Sequence, residues 1–94
     1  MSNRPPIRAA RDLNETEIVD GLRGIPGVRV YLIDRPCDAI VGFQGSVYLM
    51  EFKSRTGRLT ASQVAFHAEW YGMVHVVRTL EDALTVLGIK VSGG

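Results

Sequence analysis

The chain has almost no cysteine. Cys37 stands alone, so no internal disulfide can form, and zinc sites built from four cysteines, or from two cysteines and two histidines, are excluded by count. Long apolar runs are also missing. None approaches the ~20 residues that a membrane-spanning helix requires. The N-terminus is polar and carries Pro5-Pro6, without the apolar stretch of a leader peptide. A lone thiol and no leader point to a reducing, cytoplasmic setting. Excess charge of either sign is absent as well. The net charge of +1 gives no overall nucleic-acid signature. No internal repeat or low-complexity tract is present.

What is there is an ordinary globular composition, 46% hydrophobic and 22% charged over 94 residues. That length favours one domain with one modest core, which dimerisation would extend. The expected layout is a flexible basic arm over 1–11, a single domain over 12–91 and a mobile tail over 92–94. The charges are unevenly placed. Arg4, Arg8 and Arg11 precede the first acidic residue, Asp12, and Lys53, Arg55 and Arg58 form a second cluster. Local patches of this kind contact phosphates even when total charge is near zero. They also serve as solubilising tails and solvated loops.

Periodicity predicts seven elements. A helix runs from about Glu15 to Arg23, with Asn14 as cap, Glu17 three residues on, and Ile18, Val19 and Leu22 as its apolar face. Strands follow over Val28–Asp34, Cys37–Phe43 and Ser46–Lys53, the last two joined at Gln44-Gly45 as an antiparallel hairpin. Thr60, with Gln63 at the third position, caps a helix to about Tyr71. Met73–Arg78 is a fourth strand, and Thr79 caps a last helix, Leu80–Leu87, that Gly88 ends. The order α-β-β-β-α-β-α predicts an α/β fold with a mixed four-stranded sheet flanked by helices.

The hairpin raises the functional question. Glu51 and Lys53 interrupt an otherwise apolar strand, and such charges are seldom buried unless paired or bound to something. A two-residue turn at Gln44-Gly45 sets Asp38 opposite Glu51, with β-carbons about 4.5–5.5 Å apart. Shifting the turn to Phe43-Gln44 leaves the two on one face, diagonally; a three-residue loop separates them unless a bulge compensates. Two carboxylates this close repel, and a divalent cation compensates them. Mg²⁺ is commonly held by one or two carboxylates with water and substrate phosphate. Lys53 can stabilise charge on a phosphoryl oxygen at the same place. The bland alternative is an ion pair at an exposed strand end, and Asp…Glu-x-Lys alone recurs by chance.

Asp38 with Glu51-Phe52-Lys53 resembles the PD-(D/E)XK nuclease signature. Around it stand, in order, Glu15-Thr16-Glu17-Ile18-Val19, Asp38-Ala39-Ile40-Val41-Gly42, Leu59-Thr60-Ala61-Ser62-Gln63, Phe66-His67 with Trp70, and Val76-Val77 before Leu80-Glu81-Asp82-Ala83-Leu84. The set spans about residues 13–87 and resembles small stand-alone, phage-type members of the virus-type replication-repair nuclease (VRR-NUC) domain. The resemblance implies a restriction-endonuclease-like core, Mg²⁺ or Mn²⁺ without an organic cofactor, and hydrolysis of DNA. No membrane partner is expected. The resemblance further implies a homodimer, four-way (Holliday) junctions or other branched DNA as substrate, and a repair role in a bacterial or phage-infected cell. By the same resemblance Asp38 and Glu51 are metal ligands, the Phe52 backbone carbonyl is a further one, Lys53 is the catalytic lysine, and Glu17 and Gln63 match site residues on the two helices. One departure stands out. The family often has Pro directly before Asp, whereas Arg35-Pro36-Cys37-Asp38 inserts a residue.

Several residues have two readings. Glu17 and Gln63 serve either as helix caps or in the site. His67, spaced three from Val64 and Trp70, reads as packing or partial exposure, and His75 as a surface or interface residue. Trp70 and Tyr71 read as core or dimer contacts, and Cys37 as a small buried residue. Arg55 and Arg58, with Arg4, Arg8 and Arg11, are candidate contacts to DNA phosphates. The expected function is a metal-dependent endonuclease. The alternatives are a non-catalytic module that binds branched DNA or a protein, and an RNA-directed nuclease of the same mechanism.

Overall fold

The computed structural model describes residues 13–90; the arm with Arg4, Arg8 and Arg11, both outer domain limits and the 92–94 tail lie outside them. The elements are α1 (Leu13–Arg23), β1 (Val28–Leu32), β2 (Ala39–Phe43), β3 (Ser46–Phe52), α2 (Ala61–Glu69), β4 (Val74–Val77) and α3 (Leu80–Leu87). The sheet order is β1-β2-β3-β4. The first two pairings are antiparallel and β3 with β4 is parallel. This is the expected mixed α/β sheet, and it is consistent with the general restriction-endonuclease-like architecture. Among the described residues, no helix is long and apolar enough to cross a membrane.

The hairpin has the register that a Gln44-Gly45 turn dictates, with Phe43 opposite Ser46 and Ala39 opposite Met50. Both turn residues have positive φ, 52° and 82°, which matches the right-handed twist of the flanking strands. Alternation then sorts the faces. Val28, Val30, Ala39, Val41, Met50, Phe52 and Val77 join Ile18, Val19 and Leu22 of α1 and Ala83 and Leu87 of α3 in one buried core. The parallel β3–β4 pairing requires a crossover, and α2 supplies it.

Three details differ from expectation in instructive ways. Helix α1 begins at Leu13, so Asn14 lies within it and is not its cap. The Asn14 amide instead donates to the carbonyls of Lys53 and Arg78, both at 3.0 Å. It ties the helix start to the ends of β3 and β4. Replacing Asn14 with Ala leaves both part-buried carbonyls without this donor and should cost about 1–3 kcal/mol. Asn14→Asp should cost at least as much, because an ionised carboxylate has no proton to donate. Urea denaturation of the two variants checks this; unchanged midpoints would rule the tie out.

Helix α2 stops at Glu69, and Trp70 is already extended. The reading of Trp70 and Tyr71 as core residues therefore fails. Trp70 is 48% exposed and Tyr71 fully so. The indole folds back over Gly72, where a β-carbon would lie 3.1 Å from Nε1. His75 sits on the core side of the sheet, half-buried and 6.2 Å from the Tyr48 ring, rather than on an open surface.

Candidate active site

The site forms where β2 begins and β3 ends. Asp38 directly precedes β2, one step beyond the last ladder pair, Ala39 with Met50, and its charge acts on Glu51 near the end of β3. Its backbone N–H donates to the Met50 carbonyl at 3.1 Å, and its carbonyl accepts from Ile33 N–H at 2.8 Å. Its carboxylate Oδ2 accepts from Phe52 N–H at 2.8 Å. These bonds fix the Asp38 backbone and side chain despite the residue inserted between Pro36 and Asp38. That residue, Cys37, is buried, with Sγ 3.7 Å from the Ala39 carbonyl. Burial pushes its thiol pKa up, with smaller contributions from the charges of Glu51 and Asp38. A protonated thiol in this position is a packing group and a poor nucleophile.

Glu51 is 1% exposed. Its Oε2 accepts from Gln63 Nε2 at 3.0 Å. Its Oε1 lies 3.5 Å from His67 Nε2 without hydrogen-bond geometry, and both atoms are buried and unpartnered. Burial is the main reason the Glu51 pKa rises to about 8. The hydrogen bond and charge of Asp38 add to the rise, and Lys53 opposes it. Burial and, secondarily, the Lys53 charge lower the His67 pKa, so its imidazole is neutral at pH 7.

Helix α2 supplies the two contacts to Glu51. Gln63 and His67 are four residues apart and share one helix face. The two readings of Gln63 turn out to be compatible. Its Oε1 accepts from Thr60 N–H at 2.8 Å, closing the capping box, while Nε2 reaches Glu51. A glutamine can do both because its amide carries an acceptor and a donor; a glutamate could not.

The remaining candidates are spread around this group. Lys53 is half-buried just past β3, and its N–H continues the pairing to the Val77 carbonyl at 3.0 Å. Arg55 and Arg58 are exposed on the loop that follows. Arg78 holds that loop through its Nη1, which donates to the carbonyls of Ser54 at 2.6 Å and Gly57 at 2.8 Å. Glu17 is exposed on α1. The buried carboxylate of α1 is Glu15, which shares the stripe of Ile18, Val19 and Leu22. A groove of about 360 Å³, lined by Asp34, Arg35, Pro36, Ser62, Gln63 and Phe66, runs beside the site.

Two residues that the sequence did not assign to the site, Glu15 and His67, both carried a periodic signal. Glu15 stands three and four residues before Ile18 and Val19, a position on the apolar face. His67 stands four residues after Gln63, on the face that meets Glu51.

Among the described residues, no group of three or more His, Cys, Asp and Glu side chains is gathered so as to hold a metal ion alone. Two carboxylates side by side, one with a buried unpartnered oxygen, do suit a cation whose remaining positions are filled by water and phosphate. No family model, no curated protein and no solved structure matches the chain. The fold resembles a nuclease-like scaffold.

Proposed function

We propose that the protein is a metal-dependent endonuclease acting on DNA, with branched DNA such as a four-way junction as substrate. The observation that carries this reading is Glu51: a buried carboxylate, held beside a second carboxylate, at the end of a core strand. An arrangement that raises a carboxyl pKa to about 8 is costly to keep ionised, and such costs concentrate at functional sites. Asp38 and Glu51 would hold Mg²⁺ or Mn²⁺, which supplies Lewis acidity and lowers the pKa of a bound water. Gln63 orients Glu51, and Lys53 offsets negative charge that builds on the phosphoryl oxygens. Arg55 and Arg58 meet flanking phosphates, joined by Arg4, Arg8 and Arg11 of the arm. Hydrolysis adds water across one P–O bond and leaves a phosphate and a hydroxyl. The proposed setting is the cytoplasm of a bacterial or phage-infected cell.

Cleavage of an end-labelled panel tests the reading: four-way junction, flap, duplex, single strand and RNA, each with Mg²⁺, Mn²⁺ or EDTA. The expected result is metal-dependent cutting of the branched species, lost in Asp38→Asn. Absence of cutting with either metal would sink it. A second reading, a binding module for branched DNA or protein, gains support from exposed apolar side chains. Val64, Trp70, Tyr71 and Met73 all lie open on or just beyond α2. The same side chains support a homodimer, which sedimentation of the purified protein would show directly.

A further inference from the structure

We infer that His67 is a metal ligand, and that it turns the site towards transition ions in preference to Mg²⁺. This rests on the reading of Glu51 as a ligand. Oxygen donors suit Mg²⁺, Mn²⁺ accepts oxygen or nitrogen, and an imidazole nitrogen favours Co²⁺, Ni²⁺ and Zn²⁺. His67 Nε2 and Glu51 Oε1 face one another at 3.5 Å. Each is buried and lacks a hydrogen-bond partner. Unpartnered buried polar atoms are costly, and two that face each other call for a shared occupant. With metal bonds of about 2.1 Å to both atoms, an ion between them would subtend roughly 110°, an angle that tetrahedral coordination accepts.

The surroundings favour a cation there over a direct ion pair. Gln63 occupies only Oε2 of Glu51, which leaves Oε1 for the ion. Helix α2 therefore grips Glu51 by one oxygen and offers a nitrogen donor beside the other. Glu51 and His67 provide two protein donors, and Asp38 stands next to Glu51 at the start of β2. Water and substrate oxygens complete the set, which fits the lack of a ready three-residue shell among the described residues. His75 shares none of these contacts and packs near Tyr48 on the other face of the sheet.

The test is calorimetric titration of Mn²⁺, Co²⁺ and Mg²⁺ into the full chain, as wild type, His67→Ala, His67→Gln and Glu51→Gln. Imidazole ¹⁵N spectra with Zn²⁺ run alongside. The two histidines of the chain make assignment simple, and His75 is the internal control. Both His67 variants should bind Mn²⁺ and Co²⁺ at least about tenfold more weakly. Their Mg²⁺ affinity should change much less, and Zn²⁺ should move the Nε2 resonance of His67 but not that of His75. Circular dichroism of the variants confirms folding. If Glu51→Gln abolishes binding while both His67 variants bind Mn²⁺ and Co²⁺ as wild type does, His67 is no ligand and the nuclease reading stands. If the wild type binds none of these ions, both ideas fall.

Discussion

Glu51→Gln should abolish cleavage and stabilise the metal-free protein. The loss of activity should reach about 10³-fold or more, because the substitution removes an anionic ligand and with it the charge that holds the cation. The gain in stability follows from linkage. The folded-state pKa of Glu51 is about 8, against 4.5 for the free carboxyl. Below pH 4.5 both folded and unfolded chains carry the proton, and the site adds no penalty. Between the two values the folded state holds a proton that the unfolded state has released, so stability falls as pH rises. The penalty levels off once pH passes 8. Glutamine mimics the protonated form at every pH. The variant should therefore exceed wild type by about 2–4 kcal/mol near pH 7.5, and the gap should close towards about pH 5. Thermal melts in EDTA across this range read the difference directly. Parallel curves would mean that Glu51 is not held in a hostile environment. Added Mn²⁺ should stabilise wild type and leave Glu51→Gln unmoved, since ligand binding acts only on the state that binds.

Lys53→Met should slow cleavage by about 10²–10³-fold, the usual loss for one donor aimed at developing charge. It should also displace the pH profile. The Lys53 charge lowers the Glu51 pKa, against the rise from burial and from Asp38. Without it Glu51 holds its proton more tightly, and the proton competes better against the metal. The rising limb of the rate profile, measured at subsaturating metal, should therefore shift to higher pH. Lys53→Arg keeps the charge and should keep the limb near its wild-type position while losing rate through altered geometry. A slower Lys53→Met enzyme with an unmoved limb would show that the lysine acts on the phosphate alone. An unaltered rate would remove it from the site.

Local periodicity carried much of this architecture. The alternation of Val28 and Val30, Ala39 and Val41, and Met50 and Phe52 puts these residues on one side of three strands, and that side is the buried one. Gln44-Gly45 set a turn of two residues, and that turn fixed the hairpin register as far as Ala39 opposite Met50, next to Asp38 and Glu51. The capping boxes at Thr60 and Thr79 marked the starts of α2 and α3, because each cap forms within four residues of chain. Such features are legible because neighbours in sequence decide them.

The rest depends on partners far along the chain. A helical or alternating pattern says which side of its own element a residue occupies, but not which element lies over it. Asn14 resembled a cap, yet its amide serves carbonyls 39 and 64 residues away. Glu17 was the α1 carboxylate with a candidate site role, yet it is Glu15 that the fold buries. Above all, the crossover from β3 to β4 laid α2 over Glu51. That placement turned a cap glutamine into a hydrogen-bond donor for the carboxylate, and a histidine that read as packing or partial exposure into its neighbour. The carboxylate pair itself was written into the chain, through a turn. Its surroundings came from the fold, because only long-range packing removes Glu51 from water and makes its charge costly.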